Sequence, residues 1–357
     1  MTIDSPHPPG YRACEIHEIV SAIRAGECVS LIGLSGAGKT NLLAHLVGAH
    51  STPEGPIFPA DGNRLAGLTA DAVLRLLLAS VSGTPESGGG LAELEAALHR
   101  RLDPPGSSLC LALDASMPFS RAPELAADPA LNGNLRALRD EFKYRLTYVV
   151  ATRHALPPHT ELSELCYAHT VTLGPLSEPD ARWTVAEFAR RHEVSIDPAV
   201  VDALLAATRG YPSLLRAACE AYAAGAAPDA AGLAVHPAVQ KRLEEFWADS
   251  PTEEEIRAAG LAGLPLLNAG RPTELATDQL TAKEMLLLEY LQGRAGEICS
   301  KDDLIRAVWP EDRVFERGVR DDSLAQLVRR LREKVEADAS HPSKILTVAG
   351  RGYRFAP

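Results

Sequence analysis

Several features are scarce or missing in this sequence, and each shortage excludes something. None of the six cysteines (Cys14, Cys28, Cys110, Cys166, Cys219 and Cys299) is spaced C-x-x-C, so a zinc site is a poor fit. Several sit inside apolar runs, as reduced, buried thiols do. No apolar run approaches the ~20 residues of a membrane span. Met1 to Gly10 has neither a basic patch nor an apolar stretch, so it does not read as a signal peptide. A cytoplasmic protein of bacterial type, without membrane contact, is expected. Internal repeats and low-complexity tracts are missing too. Basic residues are outnumbered, with Lys+Arg at 36 against Asp+Glu at 47 and a formal net charge of -11. Read over the whole chain, that balance opposes a nucleic-acid partner.

What is present is ordinary globular composition, 46% hydrophobic and 23% charged. A length of 357 residues predicts two or three domains. Residues 1–10 read as a flexible tail. From Glu15, Ile16, Ile19, Val20 and Ile23 recur at helical spacing until Gly26. Glu27–Ile32 is an apolar run before a glycine-rich loop, as a buried parallel strand reads, and Asn41–Val47 returns to helix. Pro56–Ala60, Leu109–Leu113 and Tyr148–Ala151 read as further strands. Ala70–Val81, Leu91–Leu102 and Asn134–Phe142 read as the helices between them. This alternation predicts an α/β domain over 11–173, with a parallel sheet covered on both faces. Residues 174–262 are alanine-rich and helical in pattern, and 263–279 read as a linker. A separate module fills 280–357.

Gly33-Leu34-Ser35-Gly36-Ala37-Gly38-Lys39-Thr40 fits the phosphate-loop pattern G-x-x-x-x-G-K-[ST]. A chance match in a chain this long is roughly one in a hundred. The glycines let backbone N–H groups curl round phosphates, Lys39 brings a point charge, and Thr40 places a hydroxyl on Mg²⁺. The helix that begins here, with Asn41 in its first turn, adds its positive end. Leu109–Asp114 is a strand ending in an acid suited to the Mg²⁺ shell. Ala115 and Ser116 follow it, and neither can take a proton at neutral pH, so either the base comes from elsewhere or the site mainly binds and hydrolyses slowly. Tyr148–Arg153 is a strand ending in Thr-Arg, which puts Arg153 within reach of a γ-phosphate. Gly210-Tyr211-Pro212 opens a helix with proline in its first turn.

Together these residues resemble the STAND/AAA+ P-loop ATPases, relatives of the origin-recognition ATPases, over about 11–235. The resemblance makes Gly33–Thr40 the Walker A loop, Asp114 the Walker B acid, Thr152-Arg153 the first sensor and Gly210–Pro212 the start of a helical lid. It implies ATP or ADP with Mg²⁺ as ligands, Lys39, Asp114 and Arg153 as catalytic residues, and homo-oligomers in the ATP state. No base-reading motif separates ATP from GTP.

In the C-terminal module, Thr281 and Glu284 form a capping box, and Ser300 caps a second helix. Leu324, Val328, Leu331 and Val335 then line one helix face, with Gln326, Arg329 and Arg330 on the other. Ile345–Phe355 reads as two strands about a turn containing Gly350 and Gly352. Leu280-Thr-x-x-Glu284, Leu304 to Trp309, Leu331-Arg332-x-Lys334 and Gly350–Arg354 resemble the OmpR/PhoB-type winged helix-turn-helix. That resemblance implies double-stranded DNA as partner, with Ser323, Gln326, Arg329 and Arg330 on the helix entering the major groove. It places Arg351 in the minor groove and the Pro310–Gly318 loop against RNA polymerase.

Charge divides unevenly: residues 280–357 hold 14 Lys and Arg against 13 Asp and Glu. The acidity therefore lies in the ATPase-like part, and weak DNA binding per copy is expected. Two readings stay open: a nucleotide-switched transcriptional regulator, or a signalling and assembly ATPase, as in phage defence or mobile elements. In the second the winged helix would grip a partner protein or non-specific DNA. A small-molecule kinase is a distant third, because nothing resembles its substrate lid.

Overall fold

The computed structural model describes residues 7–8, 10–65, 67–83, 89–269, 280–309, 321–336, 342, 344–348 and 350–356. They fall into two compact units that divide at Gly270 and Arg271.

The first unit is α/β. Its strands are β1 (Val29–Ile32), β2 (Ile57–Asp61), β3 (Leu109–Asp114), β4 (Leu146–Thr152) and β5 (Thr170–Thr172), in the order β2-β3-β4-β1-β5, all parallel. Every residue of β3 and β4 is buried, which explains their unbroken apolar sequence. Alternation still decides which layer each residue enters. Leu109, Leu111 and Leu113 join a core with α3 (Ala70–Ser82), α4 (Leu91–Leu102) and α7 (Pro129–Phe142). Cys110 and Ala112 join the opposite core with α1 (Ala13–Ala25) and α2 (Lys39–His50).

Among the differences from expectation are one helix start and one strand not read from the sequence. The helix read over Asn134–Phe142 starts five residues earlier, because Asp128 accepts hydrogen bonds from Ala130 N and Leu131 N and Pro129 fits the first turn. β5 has only three residues, two of them exposed threonines at a sheet edge, so it carries almost no apolar signal.

Helices α9 (Glu178–His192), α10 (Pro198–Thr208), α11 (Pro212–Ala223), α12 (Ala230–Ala234), α13 (Pro237–Trp247) and α14 (Glu253–Ala258) follow. Leu214, Leu215, Leu243 and Phe246 pack into the same core as α1 and α2. A further turn of helix, α15 (Pro265–Ala269), stands within the span read as a linker, with Leu264, Leu266 and Leu267 buried in that core. The rest of that span, 270–279, lies outside the described residues.

The second unit contains α16 (Ala282–Gln292), α17 (Lys301–Val308) and α18 (Asp321–Val335). It also has an antiparallel sheet of β6 (Cys299–Ser300), β8 (Gly352–Phe355) and β7 (Ile345–Val348), in that order. The hairpin was expected; β6, two residues long, was not. Gly352 lies between them at φ 139°, where a Cβ would meet the Cys299 carbonyl oxygen at 2.0 Å, so only glycine fits. Leu324, Leu327, Val328, Leu331 and Val335 fill the core with Leu287, Leu291 and Leu304.

Candidate nucleotide site and nucleic-acid face

Because the sheet is parallel, β1, β3 and β4 end at the same edge, where ligand crevices form in such sheets. The phosphate loop follows β1 and leads into α2. Gly36 has φ 86°, and a Cβ there would meet Ser213 Oγ at 2.0 Å. Leu34 and Ala37 turn inward to the core at 3% and 0% exposure, so they can serve phosphate only through their backbone. Lys39 is 6% exposed and donates to the carbonyl oxygens of Gly33 and Leu34. Burial, and then the Arg153 charge, draw its ammonium down from 10.5 to about 8, against the pull of Asp114.

Thr40 Oγ1 donates to Asp114 Oδ2 at 2.6 Å, and Ser116 N donates to Asp114 Oδ1 at 3.1 Å. A hydroxyl and a carboxylate are hard oxygen donors of the kind Mg²⁺ takes, so the residues present fit that ion. Asn63, unmarked in the sequence, reaches the same carboxylate with Nδ2 at 3.4 Å and also donates to Asp61.

A cleft of about 330 Å³ opens over Ser35, Gly36, Gly38, Lys39, Thr40 and Asn41. Its far wall brings Arg153, Pro212, Arg216 and Arg242. Four cations thus converge on one cavity, and among its described lining residues none is acidic. Arg216 and Arg242 also pair with Glu220 and Glu245 on their own helices, so a polyanion entering the cleft competes with those carboxylates. Arg153 stands on the wall, with its guanidinium held by Asp249, which follows α13, and by Ser120 Oγ at 3.5 Å. Arg139, on α7, donates to the Gly26 carbonyl oxygen at 2.6 Å.

The start of α11 is fastened to the Gly33–Thr40 loop. Tyr211 donates its hydroxyl to Ser35 O at 2.7 Å, and Ser213 N donates to Gly36 O at 3.2 Å. Arg12 is 2% exposed; its Nη2 donates to Ala37 O and Gly174 O, and its backbone N donates to Asp180. An adjoining cavity of about 240 Å³ shares Asn41, Pro212 and Arg216 with the cleft. Its lining includes His7, Tyr11 and Trp183, with the His7 and Tyr11 rings stacked at 4.0 Å and Trp183 at 5.4 Å from His7. His7 belongs to the segment read as a tail. Its burial, then the nearby His45, lower its proton affinity.

In the second unit, Ser323, Gln326, Arg329 and Arg330 are exposed on α18, and Arg351 is exposed before β8. Arg329 pairs with Glu333 at 3.0 Å. Arg332 and Lys334 do other work. Arg332 donates to Ile345 O and Thr347 Oγ1, fixing α18 to β7. Lys334 pairs with the buried Glu284 at 2.7 Å. The Pro310–Gly318 loop lies outside the described residues.

Residues 277–355 match the family described as "Transcriptional regulatory protein, C terminal". The second unit is a transcriptional-regulator domain of the OmpR/PhoB winged-helix type. That domain is similar to the sensory transduction protein RegX3 of Mycobacterium tuberculosis, 40% identical over 79 residues, 22% of this chain and 33% of the relative. RegX3 of Mycobacterium leprae is 40% identical over 76 residues, 21% of this chain and 36% of the relative. The chain thus spans about a third of the length of these relatives. Over 97% of this chain and 93% of theirs, the fold is similar to the Walker-type ATPase of Pyrococcus abyssi, at 14% identity and a TM-score of 0.47. It is also similar to the Aeropyrum pernix Orc1 protein in complex with DNA, at 15% identity over 97% of this chain and 88% of that one, with a TM-score of 0.43. Among the described residues, no helix is long and apolar enough to cross a membrane.

Proposed function

We propose that the chain is an ATP-binding, DNA-binding transcriptional regulator whose nucleotide state sets how the winged helix is presented or how copies assemble. The observation that carries this is the junction of Thr40, Asp114 and Lys39 beneath a cleft lined by Arg153, Arg216 and Arg242, in a chain that also holds a regulator domain. The cleft suits a triphosphate, and the aromatic cavity beside it suits a flat base stacked near His7 and Trp183. Thr40 and Asp114 would hold Mg²⁺, which screens phosphate charge when bound. Lys39 turns from the loop carbonyls to the phosphates, and Pro212 and Arg216 close over them from the lid. Arg153 changes partner, from Asp249 to the terminal phosphate.

Turnover is slow on this reading. Asp114 is followed by buried Ala115, and no described residue lining the cleft is an acid able to take a proton from water. The DNA face is Ser323, Gln326, Arg329, Arg330 and Arg351, with the duplex bound usefully by a homo-oligomer, and RNA polymerase or an effector protein is the downstream partner. The test is Lys39→Ala in the full chain. Assembly state by light scattering and DNA affinity by anisotropy, each with ATP, ADP and no nucleotide, should lose their nucleotide dependence. If both are the same in wild type and variant with ATP present, the switch is ruled out.

One observation favours a second reading, an assembly ATPase using the winged helix for a partner protein. Arg329 on the exposed face is already neutralised by Glu333. A genomic binding map separates the two: discrete promoter peaks support the regulator, and their absence with a co-purifying effector supports the assembly ATPase.

A further inference from the structure

Arg153 and His154 follow each other at the end of β4, and each is tied to the same stretch beyond α13. The Arg153 guanidinium is held by Asp249, and His154 Nδ1 lies 2.7 Å from Glu255 Oε1. Both carboxylates are fixed in place. Asp249 Oδ1 also accepts from Ser120 Oγ at 3.2 Å. Glu255 Oε2 accepts from Thr252 N at 2.8 Å and Thr252 Oγ1 at 2.9 Å, within the capping box that starts α14. Between the two acids, Ser250 sits at φ 49°, a left-handed conformation that is unfavourable for a residue with a Cβ.

The core gives this stretch little hold. Of the described residues between Phe246 and Ala259, none belongs to the core, and Trp247 and Ile256 lay only part of their surface against it. Few buried apolar contacts mark a segment that opens readily. The two pairs differ in strength. The Arg153 and Asp249 side chains are 16% and 9% exposed, against 37% and 30% for His154 and Glu255. The second pair is also an ion pair only while His154 is protonated. A pair shielded from water attracts more strongly, and a more exposed one contributes little. Most of the electrostatic hold therefore rests on Arg153, which also lines the phosphate cleft.

We propose that the Arg153–Asp249 pair is an autoinhibitory clasp, closed without nucleotide and opened by a terminal phosphate that takes the guanidinium from the carboxylate. A ligand shifts such an equilibrium only by binding one state better. A triphosphate does so because Arg153 is available to it only when Asp249 has let go. A diphosphate, lacking that terminal group, leaves the clasp closed. Once it opens, the His154–Glu255 pair alone is too weak to fasten the segment, and α14 loosens ahead of α15 and the end of the first unit at Gly270. The trigger rests on the nucleotide reading above; the fastening of 249–258 by the two pairs does not.

The test follows amide hydrogen exchange over 250–259 in the full chain, beside calorimetric titration with ATP and ADP. Without nucleotide, Asp249→Asn should speed exchange at the Ile256 and Ala259 amides, which bond to Thr252 O and Glu255 O, by about fivefold or more. Glu255→Gln, which keeps the capping box, should speed it less. In the wild type, ATP with Mg²⁺ should speed the same exchange and ADP should not. Asp249→Asn should also raise ATP affinity by about fivefold and leave ADP affinity within about twofold, because the phosphate no longer has to break the pair first. Unchanged exchange in Asp249→Asn overturns the fastening and with it the clasp. Equal gains for ATP and ADP would reflect only a lost negative charge, and they overturn the clasp. So does ATP binding that leaves exchange over 250–259 as it was. Faster exchange in Asp249→Asn with no ATP binding to the wild type overturns the nucleotide reading and leaves the fastening standing.

Discussion

Thr40 Oγ1 and Asp114 Oδ2 lie 2.6 Å apart although 74 positions separate them in the chain. The contact needs β1 and β3 to end at the same height, and β4 sets that height by pairing with both. Two single substitutions follow. Thr40→Ala and Asp114→Asn should each weaken nucleotide binding in the presence of Mg²⁺ by about tenfold or more, and much less in EDTA. Titration of a fluorescent ATP analogue with and without the metal checks this. Equal losses in both buffers would mean the pair serves only the fold.

Lys39 gives a pH signature. Its ordinary value of 10.5 is drawn down to about 8 in the free protein, first by burial. Between about pH 8 and 10.5 the unfolded chain binds more protons at this site, so its contribution to stability rises with pH across that window. Bound phosphate favours the charged form. Nucleotide binding near pH 8 should therefore take up a proton, and affinity should fall as pH rises further. Calorimetry in buffers of different ionisation enthalpy reads the uptake directly, and Lys39→Met should abolish it.

Lys334 and Glu284 make a different kind of prediction. Glu284 is 2% exposed and accepts from Lys334 Nζ at 2.7 Å and Thr281 N at 2.8 Å. Lys334→Ala leaves a buried carboxylate short of its counter-ion and should destabilise the second unit by about 3 kcal/mol. The Glu284→Gln, Lys334→Met double variant should recover much of this. Thermal melts of the full chain followed at the Trp309 region would show it.

Basic residues of the second unit should behave differently according to what they touch. Arg330→Ala and Arg351→Ala, both at exposed positions, should lower DNA affinity and each reduce the slope of log affinity against log salt by about 1. Arg332→Ala should lose stability instead, because its guanidinium braces Ile345 and Thr347. Anisotropy over a salt series, beside melting curves, separates the two classes.

The local chemistry of the cleft is legible in the sequence because it is written in contiguous residues: Gly33–Thr40, the β3 acid and the Thr-Arg end of β4. The strand and helix alternation is legible for the same reason. What escapes is assembled across distance. Arg12 reaches Ala37 in the Gly33–Thr40 loop and Gly174 after β5, Asn63 meets Asp114, and Arg216 and Arg242 enter the cleft from separate helices. None of these positions has a periodicity or motif of its own. In the second unit the α18 pattern separates core from surface correctly, yet it cannot tell a free arginine from Arg332, whose partner sits on β7.

The order of strands also has a consequence for how the protein is made. Among the described residues β1 pairs only with β4 and β5, and Val29 meets its partner Val149 about 120 positions later. At ~5–20 residues per second, a ribosome needs on the order of 6–24 s to deliver that partner. Throughout that interval the phosphate loop hangs from an unpaired strand, and Asp114 emerges before the strand that will bridge it to Thr40. On the proposed nucleotide reading, the ligand would bind the finished sheet and not the nascent one, and pulse-labelled chains should acquire ATP-dependent protease resistance only after β5 has left the exit tunnel.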